Sequence, residues 1–503
     1  MGSRLPSQRK CYRLCWQVWY VSKYLPKTVG TVAAGRTFHQ MLFNSIPFVI
    51  FLLTVLTLFN LLPARQRLHW LLLSSYFFYG WWNPLFLPLL LGSTILNFII
   101  SLWLDKSTGH RKELLAAGIG LNIALLSYFK YRNFFLEAIG FSPVTSLVLP
   151  LGISFICLQA ISYLIDVYRR ETAPPDLLSF ALFKAFFPQL LAGPIERVGT
   201  LIPQLTFKSP TQFSWIVQGT KFIVWGYYKK VLVADKLALV VDPVFSNPQL
   251  FNPILLLAAT ILFSGQIYCD FSGYTDIARG AALTFGVNLS PNFCNPFGSS
   301  SLQIFWQRWH RTLHYWFKDY LYVPLEKVVP HKARILLVFL LSGLWHGANL
   351  TFVAWGLFHG ILYIITHEGQ KILIRIPYAL QVALTFTLVT LGWVFFRAQS
   401  LSQAVYIFTS FSHIHVLSLS QAATEGLQQL YQHTIISPAS LSIILSLLLL
   451  FLLIEYTGIL KNLLQSPIDR TISIKRLILM DLLLILMILF GDWASNSFIY
   501  YQF

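Results

Sequence analysis

Charge is scarce in this 503-residue sequence. Asp, Glu, Lys and Arg make up 11% of it, against about 25% in soluble domains. A soluble fold of this size needs a far more charged surface, so an ordinary cytosolic enzyme is excluded, as is a disordered or collagen-like chain. Acid is scarcer than base, with 19 Asp and Glu against 37 Lys and Arg and a formal net charge of +18. Cysteine is nearly absent. Cys11, Cys15, Cys157, Cys269 and Cys294 show no C-x-x-C and no Cys/His cluster at zinc spacing, which argues against a disulfide framework or a structural metal. The last three lie in or beside apolar runs and read as small hydrophobes. There is no P-loop, no G-x-S-x-G and no dinucleotide fingerprint.

What is present is apolar surface. Hydrophobic residues are 56% of the chain and aromatics 16%, which fits an all-α polytopic membrane protein. The basic excess then reads as loops obeying the positive-inside rule, with no nucleic acid implied. A helix crosses the roughly 30 Å hydrocarbon layer in about 20 residues, so uncharged runs mark the spans. Residues 42–64 form one. Residues 68–104 are too long for one span and divide at Asn83-Pro84. Runs at 114–129, 138–165, 243–269, 335–366, 377–396 and 438–454 follow, with two that each carry one charge, 177–195 with Lys184 and 477–489 with Asp481, and a brief one at 222–228. The pattern predicts roughly ten to twelve transmembrane or re-entrant helices. The loops at 368–375 and 461–476 carry basic residues and should be cytoplasmic. The loop at 398–437 and the tail after Asp492 have no Lys or Arg and should face outside.

The first 40 residues hold seven Lys and Arg and no acid. They read as a basic tail on the membrane surface, an extension foreign to the native protein, or an organelle transit peptide. Met41 stands directly before the first apolar run, and from it onward 30 basic residues face 19 acidic ones, a net of +11. The chain thus divides into a basic segment at 1–40 and a membrane domain at 41–503.

Three groups of residues offer chemistry. His346, in L-L-S-G-L-W-H-G-A-N-L, lies deep in the uncharged run 335–366. Read as one helix, it is about 18 Å from Arg334, near mid-bilayer, and an ionisable group there is a functional candidate by default. Gly343 and Gly347 bracket it and allow close approach of a helix or substrate. On that straight helix His359 would face about 220° away and reads as structural unless the glycines break the helix. Second, the bulky residues Phe305, Trp309, Leu313, Trp316 and Tyr320 recur at helical spacing, which predicts an amphipathic helix at the membrane surface. Its other face carries Arg308, Arg311, Tyr315 and Lys318, suited to an anionic ligand such as a phosphate-bearing donor. His310 and His314 on it are four apart but lack the Glu of H-E-x-x-H, so no metal is expected. Third, Asp270 and Asp276 suggest acid–base work or, more locally, ion pairing of Asp276 with Arg279.

At these residues the chain resembles the membrane-bound O-acyltransferase family, and most closely its bacterial alginate O-acetyltransferase-like branch. M-L-F-N-S at 41–45, L-P-L-G-I-S-F at 149–155, F-F-P-Q-L-L-A-G-P-I-E-R at 186–197, Q-I-Y-C-D-F-S-G-Y-T-D-I-A at 266–278 and F-W-Q-R-W-H at 305–310 carry the resemblance. K-D-Y-L-Y-V-P-L at 318–325, G-L-W-H-G-A at 343–348, W-V-F-F-R-A at 393–398 and F-I-Y-Y-Q-F at 498–503 complete it in order. The resemblance implies a helical bundle around a central tunnel, with His346 as the essential histidine and His310 as its partner. Arg308, Arg311, Lys318, Trp345, Asn349 and Asp270 are the candidate substrate contacts. It implies no bound cofactor and no metal. Acetyl-CoA or another acyl thioester is expected as donor substrate, with an exported polysaccharide as acceptor, often through a separate extracytoplasmic acetyltransferase. The expected place is the bacterial inner membrane. Peptidoglycan O-acetylation and teichoic-acid D-alanylation are the alternatives within the family. Outside it, the rivals are a polar-solute transporter passing His346 and Asp270 and a purely structural scaffold.

Overall fold

The computed structural model describes residues 41–144, 148–191, 193–207, 211–414, 419–457, 474–491 and 498–499. The chain is an all-α polytopic membrane protein, and the described residues contain helices and loops only. Among the described residues, six helices are long and apolar enough to cross a bilayer: Pro84–Lys106, Arg111–Ala138, Pro253–Thr284, Leu350–Glu368, Tyr378–Arg397 and Pro438–Tyr456. Shorter apolar helices span Ile46–Leu61, Ile153–Tyr168 and Asp481–Phe490. Residues 1–40 and most of the basic loop 461–476 lie outside the described residues.

Pro253–Thr284 is the axis of the fold, with most of its side chains buried in protein. It packs antiparallel against Phe213–Tyr227 at two paired glycines. A Cβ on Gly226 would lie 2.6 Å from the Gly273 carbonyl oxygen, and one on Gly219 would lie 2.5 Å from that of Gly280. Where lipid gives helices no hydrophobic reason to associate, such backbone-to-backbone approach supplies the van der Waals contact that does. The lipid-facing perimeter is made by helices such as Pro438–Tyr456, which exposes Leu445, Leu449, Leu452 and Leu453.

Several apolar runs fold differently from the lengths they suggested. The break at Asn83 is as expected; its side chain accepts from Leu85 N at 3.0 Å and starts a new helix. The run 243–269 is not one span. Pro243 lies inside the helix Asp235–Ser246, and the next helix starts at Pro253. The run 177–195 is broken at Phe186, before Pro188, into helices of nine and four residues that are buried in protein. Most consequential is 335–366. It forms a hairpin of two antiparallel helices, His331–His346 and Leu350–Glu368, reversing at Gly347–Asn349. Asn349 caps the second helix by accepting from Thr351 N at 3.0 Å. The small Gly343 and Gly356 let the two helices touch, against Phe352 and Phe339.

The open ends of this hairpin, joined by the Lys332–Glu368 ion pair, belong to a basic face. Arg334 reaches Tyr322, and the neighbouring Asp319 meets Arg169 and Arg197. The hairpin turn lies at the opposite end, where the Asn349 side chain donates to the Gln399 carbonyl at 3.4 Å.

Candidate active site

The segment 305–325 reads in the sequence as one amphipathic helix lying at the membrane surface. It is two short helices, Leu302–Arg308 and Arg311–Phe317, followed by a wide π turn at Lys318–Tyr322. Its contacts show that it enters the protein and returns. Gln303 donates to the Tyr363 carbonyl, and Tyr322 contacts His331, both near the basic face. Between those ends, Trp306 packs on Phe339 and Trp355, Trp309 on Trp393, and His310 on Trp345. The predicted apolar stripe is real, since Phe305, Trp309, Leu313, Trp316 and Tyr320 are all buried. It is covered by protein, not by lipid.

His310 is the apex of this re-entrant pair and adopts φ +42° and ψ 53°. A left-handed conformation costs a non-glycine residue roughly 1–2 kcal/mol, and its surroundings enforce it. Arg311 N donates to Asn292 O at 2.9 Å, and Cys294 N donates to Arg308 O at 3.1 Å. Asn292 also accepts from the Thr312 hydroxyl at 2.6 Å, while that hydroxyl accepts from Ile195 N at 3.0 Å. The imidazole is buried against Phe271 at 4.7 Å between ring centres and Trp345 at 5.9 Å. Neither of its ring nitrogens has a hydrogen-bond partner among the described residues. A buried polar group in that state calls for an explanation.

His346 is the last residue of the hairpin's first helix. The depth count made along one continuous helix therefore does not apply, because the chain turns back at Gly347. The conclusion that His346 is deep in the protein stands on other ground. It is buried, and its ring is packed by Trp345 at 4.9 Å, Trp355 at 5.2 Å and Phe396 at 5.4 Å. Trp345 touches both imidazoles, so the two expected histidines do converge, within electrostatic reach of one another. The hairpin also undoes the 220° separation of His346 and His359. Both rings lie against Trp355, His359 at 5.1 Å, and the nitrogens of His359 have no hydrogen-bond partner among the described residues.

The other expected residues divide. Trp345 is at the centre. Arg308, Arg311 and Lys318 flank the re-entrant pair, and among the described residues none forms an ion pair with an acid; Lys318 is exposed and Arg308 donates to the Gly298 carbonyl at 3.3 Å. Asn349 is a helix cap at the turn beside His346. Asp270 is not at the end of a span but inside Pro253–Thr284, with both carboxylate oxygens engaged. Oδ1 pairs with Lys230 at 2.5 Å and Oδ2 accepts from Ile499 N at 2.9 Å. Lys230 also pairs with Asp235 at 2.8 Å, and Asp276 pairs with Lys229 at 2.6 Å and Arg279 at 3.6 Å. The local partner foreseen for Asp276 is there, but the lysines were missed. Their signal was two adjacent Lys inside an otherwise apolar stretch, with no acid nearby in sequence except Asp235. Also missed were Lys130 and Tyr131, which close an apolar run; Lys130 reaches the Trp345 and His346 carbonyls, and Tyr131 reaches the Leu344 carbonyl. Among the described residues no group of three or more His, Cys, Asp or Glu is placed to hold a metal.

Two buried histidines joined by a tryptophan, at the meeting point of a re-entrant pair and a helical hairpin, define a membrane-embedded site able to move a proton out of contact with bulk water. The sequence model of the membrane-bound O-acyltransferase family matches residues 73–381, which include both histidines. The chain is 38% identical over 415 residues to the probable alginate O-acetylase AlgI of Pseudomonas syringae pv. tomato, covering 77% of this chain and 79% of that one. It is 35% identical to the peptidoglycan O-acetyltransferase of Helicobacter pylori (71% and 76% covered). It is 26% identical to the teichoic acid D-alanyltransferase of Bacillus subtilis (44% and 59% covered). The chain belongs to the membrane-bound O-acyltransferase family and is an acyltransferase.

Proposed function

We propose that the protein transfers an acetyl group from a cytoplasmic thioester, acetyl-CoA or a close analogue, to hydroxyls of an exported polysaccharide, in the manner of alginate O-acetylation. The reading rests on the convergence of His346 and His310 on Trp345, below a hairpin turn that lies opposite the basic face. By the positive-inside rule the basic face is cytoplasmic, so donor and acceptor approach His346 from opposite sides. His346 is the general base. It takes the proton of the acceptor hydroxyl as the oxygen attacks the thioester carbonyl; the C–O bond forms, the C–S bond breaks, and the proton leaves with the thiolate. Imidazole suits this exchange because it titrates near neutral pH. His310, whose ring nitrogens have no hydrogen-bond partner among the described residues, orients the thioester carbonyl or stabilises the charge that develops on it. Burial among tryptophans keeps water from hydrolysing the thioester. Arg308, Arg311 and Lys318 gather the donor's phosphates on the cytoplasmic side. In a bacterium the protein sits in the inner membrane and passes the acetyl group to an extracytoplasmic acetyltransferase or to the polymer itself.

Peptidoglycan is the second reading for the acceptor, because the peptidoglycan relative is nearly as similar to this chain as the alginate one. Membranes incubated with labelled acetyl-CoA decide between them. Label entering an exopolysaccharide in wild type and not in His346→Ala supports the first reading, and base-labile label in purified peptidoglycan sacculi supports the second. Label retained in His346→Ala overturns the assignment of the base.

A further inference from the structure

The end of the helix that carries His346 has a shortage of partners. The last carbonyls of any helix lack intrahelical donors, and a site closed to water offers none from solvent. The final backbone bond here is Gly347 N to Gly343 O at 3.3 Å. The carbonyls of Leu344, Trp345 and His346 are left over, and each is taken by a residue from one turn of another helix. The Lys130 ammonium donates to Trp345 O at 2.5 Å and His346 O at 3.0 Å. The Tyr131 hydroxyl donates to Leu344 O at 2.7 Å. Lys130 also lies 5.9 Å from the centre of the Trp345 ring, which itself contacts both histidines.

Two adjacent side chains do not normally serve one spot from a regular helix, where neighbours point about 100° apart. Lys130 and Tyr131 sit in a π turn, Ser127–Tyr131, within the span Arg111–Ala138. The wider turn brings both to the hairpin. Such π bulges are an irregularity found frequently at functional sites. The charge also has the right sign, since a cation at a helix C-terminus meets the negative end of the helix dipole.

We infer that Lys130 and Tyr131 are positioning residues for acyl transfer: together they clamp the C-terminal turn of the His331–His346 helix and so fix the imidazole of His346 and the ring of Trp345 relative to the substrates. They touch backbone carbonyls, not the reacting atoms. The inference rests on His346 being the base for its effect on rate, but the clamp itself can be read without catalysis.

The test compares Lys130→Met, Lys130→Arg and Tyr131→Phe in the full-length protein, with His346→Ala alongside. Hydrogen exchange followed by mass spectrometry reads the clamp. Lys130→Met should speed exchange at least about tenfold in a peptide spanning residues 340–349 and leave Pro253–Thr284 unchanged. Lys130→Arg should restore most of the protection, because a guanidinium can span two carbonyls. Unchanged exchange in Lys130→Met overturns the clamp whatever the role of His346. Transfer from labelled acetyl-CoA reads the consequence. Misplacing a catalytic group by about 1 Å can cost about 100-fold, so kcat should fall by about that factor in Lys130→Met with KM for the donor within about twofold. Tyr131→Phe, which removes a single oxygen, should lose less with the same signature and serves if Lys130→Met does not fold. Full kcat in both variants, with His346→Ala inactive, overturns the positioning role alone; activity in His346→Ala overturns the base and leaves exchange to judge the clamp. Equal losses in Lys130→Met and Lys130→Arg, accompanied by a lowered melting temperature, would make the contact structural and also overturn the inference.

Discussion

Two parts of this protein bury ionisable side chains in a membrane, and they do so in opposite ways. Around Pro253–Thr284, Lys229, Lys230 and Arg279 meet Asp235, Asp270 and Asp276, three positive against three negative charges, at separations of 2.5 to 3.6 Å. Around Trp345, His310 and His346 are packed by aromatic rings, and the ring nitrogens of His310 find no partner among the described residues. Burying a charge is tolerable only when it is paired, and burying a polar group is costly unless it is hydrogen-bonded. The first region meets those conditions internally, as a scaffold requires. The second packs its imidazoles against aromatic rings and leaves both ring nitrogens of His310 without a hydrogen-bond partner among the described residues. Both look alike in sequence, as ionisable residues inside apolar runs, and only their partners separate them.

The sharpest way to break that comparison is to replace one residue from each region and measure both activity and stability. His346→Gln should lower acetyl transfer about 100- to 10,000-fold, the usual range for losing a general base. Its unfolding midpoint in detergent should stay close to wild type, since a side chain of similar size remains among Trp345, Trp355 and Phe396. Lys230→Met should do the reverse, reducing stability by about 3–5 kcal/mol because two aspartates are left buried with no countercharge. Adding Asp235→Asn and Asp270→Asn to it should recover much of that loss. A stable Lys230→Met, or a His346→Gln that unfolds, would mean the two regions have been assigned the wrong way round.

How much of this could be read from the chain follows from what sets each feature. The class came from composition, because lipid exposure is a property of whole segments. His346 stood out because an ionisable group between glycines in an uncharged run is anomalous on its own, whereas His310, set between Arg308 and Arg311, was marked by the family resemblance. The Asn83-Pro84 break was legible because proline acts locally. The hairpin at Gly347–Asn349 was not: its residues lie in a run with no charge to mark the turn, and the cap that makes it, Asn349 on Thr351, looks like any polar residue. The re-entrant pair was misplaced for a related reason. A period of 3.6 says that one face is buried but does not say whether lipid or protein buries it. Lys130 and Tyr131 were invisible because their partners, 213 to 216 residues away, are backbone carbonyls that carry no side-chain signature.

A smaller effect tests the apex of the re-entrant pair. His310 has a φ that glycine adopts freely and alanine does not. His310→Gly and His310→Ala both lose the imidazole, so both should be severely impaired in transfer. They should differ in stability by about 1 kcal/mol in favour of glycine, read from their unfolding midpoints. Alanine as stable as glycine would show that the left-handed apex is not maintained in the membrane.

The smallest effect is expected where an ion pair is exposed. Lys332 and Glu368 join the open ends of the hairpin whose turn follows His346, but their side chains are 64% and 56% exposed. Water screens such a pair and competes for both partners, and exposed pairs contribute about 0–1 kcal/mol. Lys332→Gln should therefore shift stability by less than about 0.5 kcal/mol and leave kcat unchanged, in contrast to the loss at Lys230 from the same kind of charge removal. The reason for equal activity is mechanical as well as electrostatic. The two hairpin helices are already held together by the backbone contacts of Gly343 with Phe352 and Gly356 with Phe339, between the ion pair and the turn. If Lys332→Gln instead lowers kcat with stability intact, movement at the basic face is being transmitted along the hairpin to His346, and the helix that carries the base is less rigidly held than its glycine contacts imply.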